Sequence, residues 1–152
     1  MSIHYLDTSA FVKLYVREPG TDEMLRLASP AAGHTLYVLA LTRVEFRSAV
    51  RMRQRKGDIA SAVANDLISR MEQHLRTLFR VQLVTDAVLE ESTALLDRYP
   101  LRAYDSIQLA GCRTVQAQST EPVPFVCSDH QLLRAAEAEG LKIIDPAKEF
   151  KP

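Results

Sequence analysis

IHYLDTSAFVKLYVR, residues 3–17, changes its hydrophobic period halfway along. IHYL (3–6) reads as a strand, whereas from Ser9 to Arg17 apolar residues recur at three- and four-residue spacing, the pattern of a helix. Asp7 stands at the join. The alternation then repeats along the chain. Further strand-like runs are TLYVLA (35–40), RVQLV (80–84), PFVCS (124–128) and LKIID (141–145), and helical patterns cover Thr21 to Ala28, Leu41 to Lys56, Ile59 to Leu78, Ala87 to Tyr99, Ala103 to Gln118 and His130 to Glu139. Gly57-Asp58 separates the longest pair of helices, Gly140 follows the last helix where a C-terminal cap belongs, and SPAAGH (29–34) and QAQSTEPVP (116–124) read as loops. Strands alternating with helices predict an α/β fold in three layers: a mainly parallel five-stranded sheet flanked by helices on both faces. No linker or repeat interrupts residues 1–152, which read as one domain.

With 47% hydrophobic and 25% charged residues in 152, the chain can bury a sizeable core. The opening MSIHYLD shows no charged leader followed by an apolar run, and the longest apolar stretch, LYVLAL (36–41), is too short to cross a bilayer. A cytoplasmic protein without membrane contact is the expectation. The two cysteines, Cys112 and Cys127, have no metal-ligand spacing and read as buried thiols. Formal net charge is zero, so any attraction to nucleic acid must be local. One local excess exists, Arg43, Arg47, Arg51, Arg53, Arg55 and Lys56 against the single acid Glu45. Arg43 and Arg47 point roughly opposite Glu45 on a helix, while Arg51, Arg53 and Arg55 come closer round to its side.

In open α/β sheets ligands bind beyond the carboxyl ends of the strands, which singles out Asp7, Asp86, Asp129 and Asp145. Each has a plainer reading: Asp86 and Asp129 suit helix N-caps, and Asp145 before Pro146 suits a turn. Two further acids change the balance. In LRAYDSIQLA (101–110), Asp105 lines up with Leu109 and Cys112, and Glu45 lines up with Leu41, Ala49 and Met52, so two helices each carry a carboxylate along an apolar stripe. If these acids meet Asp7 and Asp129 above the strand ends, unit charges about 4 Å apart would repel by about 4 kcal/mol at an effective dielectric near 20. Such a cluster raises its own pKa values or holds a cation, and an all-oxygen ligand set favours Mg²⁺ or Mn²⁺ over zinc.

LDTSAFVKLYVREPG at the N-terminus, Glu45 within LALTRVEFRSAVRMR, LRAYDSIQLA, and FVCSDHQLLRAAEAEGL together resemble the successive acidic motifs of the PIN-domain ribonucleases, specifically the VapC-type toxins of type II toxin–antitoxin systems. The resemblance spans nearly the whole chain. It implies a magnesium- or manganese-dependent endoribonuclease whose catalytic and metal-binding acids are Asp7, Glu45, Asp105 and Asp129, supported by Ser9, Thr8 and Ser128. It also implies an RNA substrate, a homodimer, and a cognate antitoxin that blocks the pocket with a basic side chain. It demotes Asp86 and Asp145, which strand-end position alone does not separate from the others. Arg51 and Arg55 are the candidate contacts to RNA phosphates.

Tyr5, Phe11, Leu14 and Tyr15 follow burial spacing and read as core rather than as base-stacking platforms, and the four histidines share no metal-binding spacing. A haloacid-dehalogenase-like phosphatase needs a second Asp two residues after Asp7, where Ser9 stands. A receiver domain needs paired acids by its first strand and a Lys-Pro near its end, where this chain has Asp145-Pro146. The remaining alternative to the ribonuclease is a PIN-like domain that binds RNA or protein without cutting.

Overall fold

A computed structural model describes residues 2–148, so the ends of the 1–152 span lie outside the described residues. Five strands, β1 (Ile3–Leu6), β2 (Thr35–Leu39), β3 (Arg80–Gln82), β4 (Phe125–Val126) and β5 (Ile143–Ile144), form one sheet in the order β3-β2-β1-β4-β5. Every pairing is parallel, with β1 central between β2 and β4. Among the described residues, seven α-helices follow in chain order: α1 (Thr8–Val12), α2 (Thr21–Ala28), α3 (Thr42–Arg55), α4 (Ser61–Thr77), α5 (Asp86–Arg98), α6 (Ala103–Ala117) and α7 (His130–Ala138).

Strand alternation sorts the sheet's side chains into two cores. Tyr5, Leu39 and Phe125 turn to one face, where α5, α6 and α7 bury Val88, Leu95, Leu109, Val115 and Leu132. Leu6, Val38 and Val126 turn to the other, against Phe11 of α1, Met24 of α2, Phe46 and Val50 of α3, and Leu67 and Met71 of α4. The predicted three-layer architecture is therefore present, with an all-parallel sheet. From β1 the chain builds outward through β2 to β3, then crosses back to place β4 on β1's other side. That reversal opens a crevice at the carboxyl ends of β1 and β4, where parallel sheets take their ligands.

Several boundaries differ from the sequence reading. Helix α1 ends at Val12 instead of Arg17, because the chain tightens into short-range bonds from Lys13 N to Ala10 O and Leu14 N to Phe11 O. The SPAAGH loop contains a short 3₁₀ turn at Pro30–Ala32, capped by Ser29. Thr85, rather than Asp86, caps α5: its hydroxyl accepts the Val88 N–H, and Asp86 is the first helical residue. The buried face of α3 is Thr42, Phe46 and Val50, so the Glu45 stripe borders the crevice and not the core. No helix among the described residues is long and apolar enough to cross a membrane.

Candidate functional site

The four acids read from the sequence line one open cavity of about 1020 Å³ at the carboxyl ends of β1 and β4. Each enters it from the start of a helix. Asp7 caps α1, Glu45 lies in the first turn of α3, Asp105 in the first turn of α6, and Asp129 caps α7. Helix N-termini carry partial positive charge and unpaired N–H groups, which makes them the places where a folded chain best tolerates carboxylates. The capping reading and the cluster reading of these acids are thus both true of Asp7 and Asp129.

Asp7 is the most confined of the four, at 5% exposure. Its backbone N–H is fixed to Val126 O on the neighbouring strand, and its Oδ2 accepts Ser9 Oγ at 2.7 Å and Ser9 N at 3.2 Å. Ser9 Oγ in turn accepts the Ser128 N–H at 3.0 Å, which ties the end of β1 to the loop after β4. Cys127 is buried, as the sequence suggested, yet its thiol lies beside the acids and donates to Asp7 Oδ2 at 3.5 Å. Burial pushes the Asp7 carboxyl up to about 6; the Ser9 hydroxyl opposes that rise, and the charges of Glu45 and Asp105 add to it.

Glu45 is held by a network that the sequence did not disclose. Gln108, fully buried on α6, places its Nε2 2.8 Å from Glu45 Oε1, 3.0 Å from Thr8 Oγ1 and 3.1 Å from Thr42 Oγ1. Thr8 Oγ1 donates to the same carboxylate oxygen at 2.9 Å and lies 3.0 Å from Thr42 Oγ1. One amide thus links α6, α1 and α3 around a carboxylate. Burial raises the Glu45 pKa, the Gln108 and Thr8 bonds restrain it, and Asp105 raises it further. Replacing Gln108 with leucine removes a donor to a charged group and is expected to cost roughly 1.5–3 kcal/mol of stability, measurable by urea unfolding. The loss should grow as pH rises and Glu45 ionises.

Asp105 and Asp129 share a counter-charge from their own chain. Arg102 Nε lies 3.3 Å from Asp105 Oδ2, and Arg102 Nη2 lies 3.6 Å from Asp129 Oδ2. Burial raises the Asp105 pKa, Arg102 lowers it and Asp129 raises it. Asp129 Oδ1 also accepts the Leu132 N–H at 3.1 Å. The other cation lining the cavity is Lys13, buried and paired with Glu18 at 2.9 Å. Arg51 and Arg55 do not line the cavity, and Arg51 donates to Gln54 at 2.8 Å. Arg43 pairs with Glu72 at 2.7 Å, away from the acids as its helical phase predicts.

Among the described residues, no three His, Cys, Asp or Glu side chains stand close enough together to hold an ion. The donor chemistry nevertheless fits a small hard cation, since Asp7, Glu18, Glu45, Asp105 and Asp129 all turn carboxylates to the cavity, and Glu18 alone of them is already paired with Lys13. Ser128 Oγ points the same way. It is a buried side-chain oxygen without a hydrogen-bond partner among the described residues, on a residue that lines the cavity.

Residues 4–138 match the family model of the PIN domain. The chain is 31% identical over 145 residues to Ribonuclease VapC35 of Mycobacterium tuberculosis, covering 95% of this chain and 97% of that protein. It is also 31% identical over 147 residues to Ribonuclease VapC46 of the same species, covering 97% and 100%. Among solved structures, FitAcB from Neisseria gonorrhoeae matches 98% of this chain and 100% of its own with a TM-score of 0.69 at 18% identity. A toxin–antitoxin complex from Klebsiella pneumoniae matches 94% and 97% with a TM-score of 0.66 at 16% identity. At those identities the structural likeness is one of fold.

Proposed function

Because this chain belongs to the VapC-type PIN-domain ribonucleases, we propose that it is an endoribonuclease that hydrolyses RNA phosphodiester bonds with a divalent cation, Mg²⁺ or Mn²⁺, held by Asp7, Glu45, Asp105 and Asp129. The observation that carries this reading is the convergence of those four acids, distant in sequence, on one cavity at the sheet's crevice. When bound, such a cation supplies positive charge to the phosphate oxygens and acidifies a water. The chain's own residues do the rest. Asp7 is fixed at a strand end by Ser9, and Thr8 and Gln108 aim one oxygen of Glu45. Arg102, with a side chain 85% exposed, has the freedom to leave its acids and pair with a phosphate oxygen.

The same reading includes a cognate antitoxin and a homodimer. A guanidinium of this chain lies within 3.3 Å of Asp105 and 3.6 Å of Asp129, which supports an antitoxin that offers a basic side chain to the same acids. Exposed Leu83, Leu89 and Leu96 supply apolar surface for a protein contact. A PIN-like binding module that cuts nothing is the second reading, favoured by the finding that, among the described residues, no three His, Cys, Asp or Glu side chains stand close enough together to hold an ion. The two separate in one experiment. Total RNA incubated with purified protein and Mg²⁺ or Mn²⁺ should yield discrete new ends, and both chelation and Asp105→Asn should abolish them. Ends that persist in the chelated or Asp105→Asn reactions would refute the cation-dependent reading, and RNA left intact by the wild-type protein would favour the binding module.

A further inference from the structure

The mouth of the acidic cavity carries large apolar side chains that the core does not use. Tyr104, Val44 and Met52 are 61%, 64% and 52% exposed, and all three line the cavity that holds the acids. Tyr104 directly precedes Asp105 in the first turn of α6, and Val44 directly precedes Glu45 in the first turn of α3. Among the described residues, the Tyr104 ring stacks on no other aromatic ring and its hydroxyl makes no hydrogen bond within the chain.

Resting on the ribonuclease reading, we propose that Tyr104, Val44 and Met52 form a shelf on which an unpaired nucleobase next to the scissile phosphate stacks. Apolar surface alternates with carboxylates here at single-residue spacing, which matches a nucleotide's flat apolar base beside its charged phosphate. Arg102, exposed on the same cavity, complements the phosphates. Every base has a π face, so the shelf grips without reading sequence. A duplex keeps its bases covered, so the shelf selects single strands, loops or extruded nucleotides.

The test uses fluorescence anisotropy with fluorescein-labelled single-stranded RNA of mixed sequence, in an Asp7→Asn background so that the strand is not consumed. Stacking on an aromatic side chain sets the expected effect: Tyr104→Ala weakens binding roughly 5- to 150-fold, Tyr104→Phe by less than about threefold. The slope of log Kd against log salt stays unchanged, because a stacked base releases no counterions. Binding to an RNA duplex does not respond to Tyr104. Met52→Ser combined with Val44→Ser gives a smaller loss of the same kind. The shelf is overturned if Tyr104→Ala binds single strands as before, if duplex binding falls equally, or if the salt slope falls with the affinity. It is also overturned if Tyr104→Ala leaves RNA affinity unchanged and splits a dimer in sedimentation, which assigns the surface to a second copy. Cleavage that depends on Asp7, together with binding indifferent to Tyr104, removes the shelf alone. Tyr104-dependent binding with no cleavage by the wild-type protein removes the ribonuclease reading alone.

Discussion

Asp7→Asn is expected to make the protein more stable and inactive at once. The folded Asp7 carboxyl titrates at about 6 against an ordinary value of 3.8, chiefly because it is buried. Below pH 4 both folded and unfolded chains hold the proton and no penalty exists. As pH rises from the ordinary value toward the folded one, the unfolded acid ionises while the folded one resists, so stability falls and the full cost is present above about pH 6. Two pKa units of difference correspond to roughly 3 kcal/mol. Asparagine keeps an acceptor for Ser9 and removes the charge. In chelator, urea unfolding at pH 7.5 should therefore show Asp7→Asn more stable than wild type by up to that amount, with the gap closing toward pH 4. Cleavage of RNA should fall on the order of 10²- to 10³-fold or more, the usual loss when a principal electrostatic element of an active site is removed. Equal stability at pH 7.5 would show that the folded chain does not hold Asp7 under charge strain.

The second large effect lies behind the site. Phe11 is fully buried on α1, with ring centroids 5.2 Å from Tyr15, 5.6 Å from Phe46 and 5.2 Å from Phe79. It thereby locks the short helix that Asp7 caps against α3, which carries Glu45. Truncating a ring in such a setting leaves a cavity that the surrounding aromatics cannot fill, and Phe11→Ala is expected to cost about 3–5 kcal/mol. Thermal or urea unfolding measures it directly. A loss under about 1 kcal/mol would mean that the cluster collapses to fill the gap and that α1 is not anchored through Phe11.

The fold was readable because its signals are periodic. IHYL and TLYVL alternate, α2 to α7 keep three- and four-residue spacing, and strand–helix repetition leaves few topologies open. Helix ends were less readable where side-chain chemistry set them, as with Thr85 taking the cap that Asp86 seemed to offer. Among the site residues, the acids could be found because a carboxylate on an apolar stripe or at a strand end is conspicuous. Their ordering into one cavity came from the resemblance, not from spacing. Gln108 escaped notice because a glutamine in a helix is ordinary. Its signal was its phase, three residues after Asp105 and four before Cys112, on the buried face of α6. Arg102, one turn before Asp105, carried a similar local signal. The run of charge from Arg43 to Lys56 drew attention to Arg51 and Arg55, yet it is spread around α3, and the cations that line the cavity come from elsewhere. Charge density along a sequence says little about which face of a helix meets a crevice.

The convergence of four carboxylates on a shared divalent cation can be measured without any substrate, by titrating Mn²⁺ into the metal-free protein at pH 7.5 and following free Mn²⁺ by electron paramagnetic resonance. The expected result is saturable binding that Mg²⁺ displaces and that Asp7→Asn and Glu45→Gln each weaken strongly. Absence of saturable binding in the wild-type protein, or binding that both substitutions leave untouched, would contradict it.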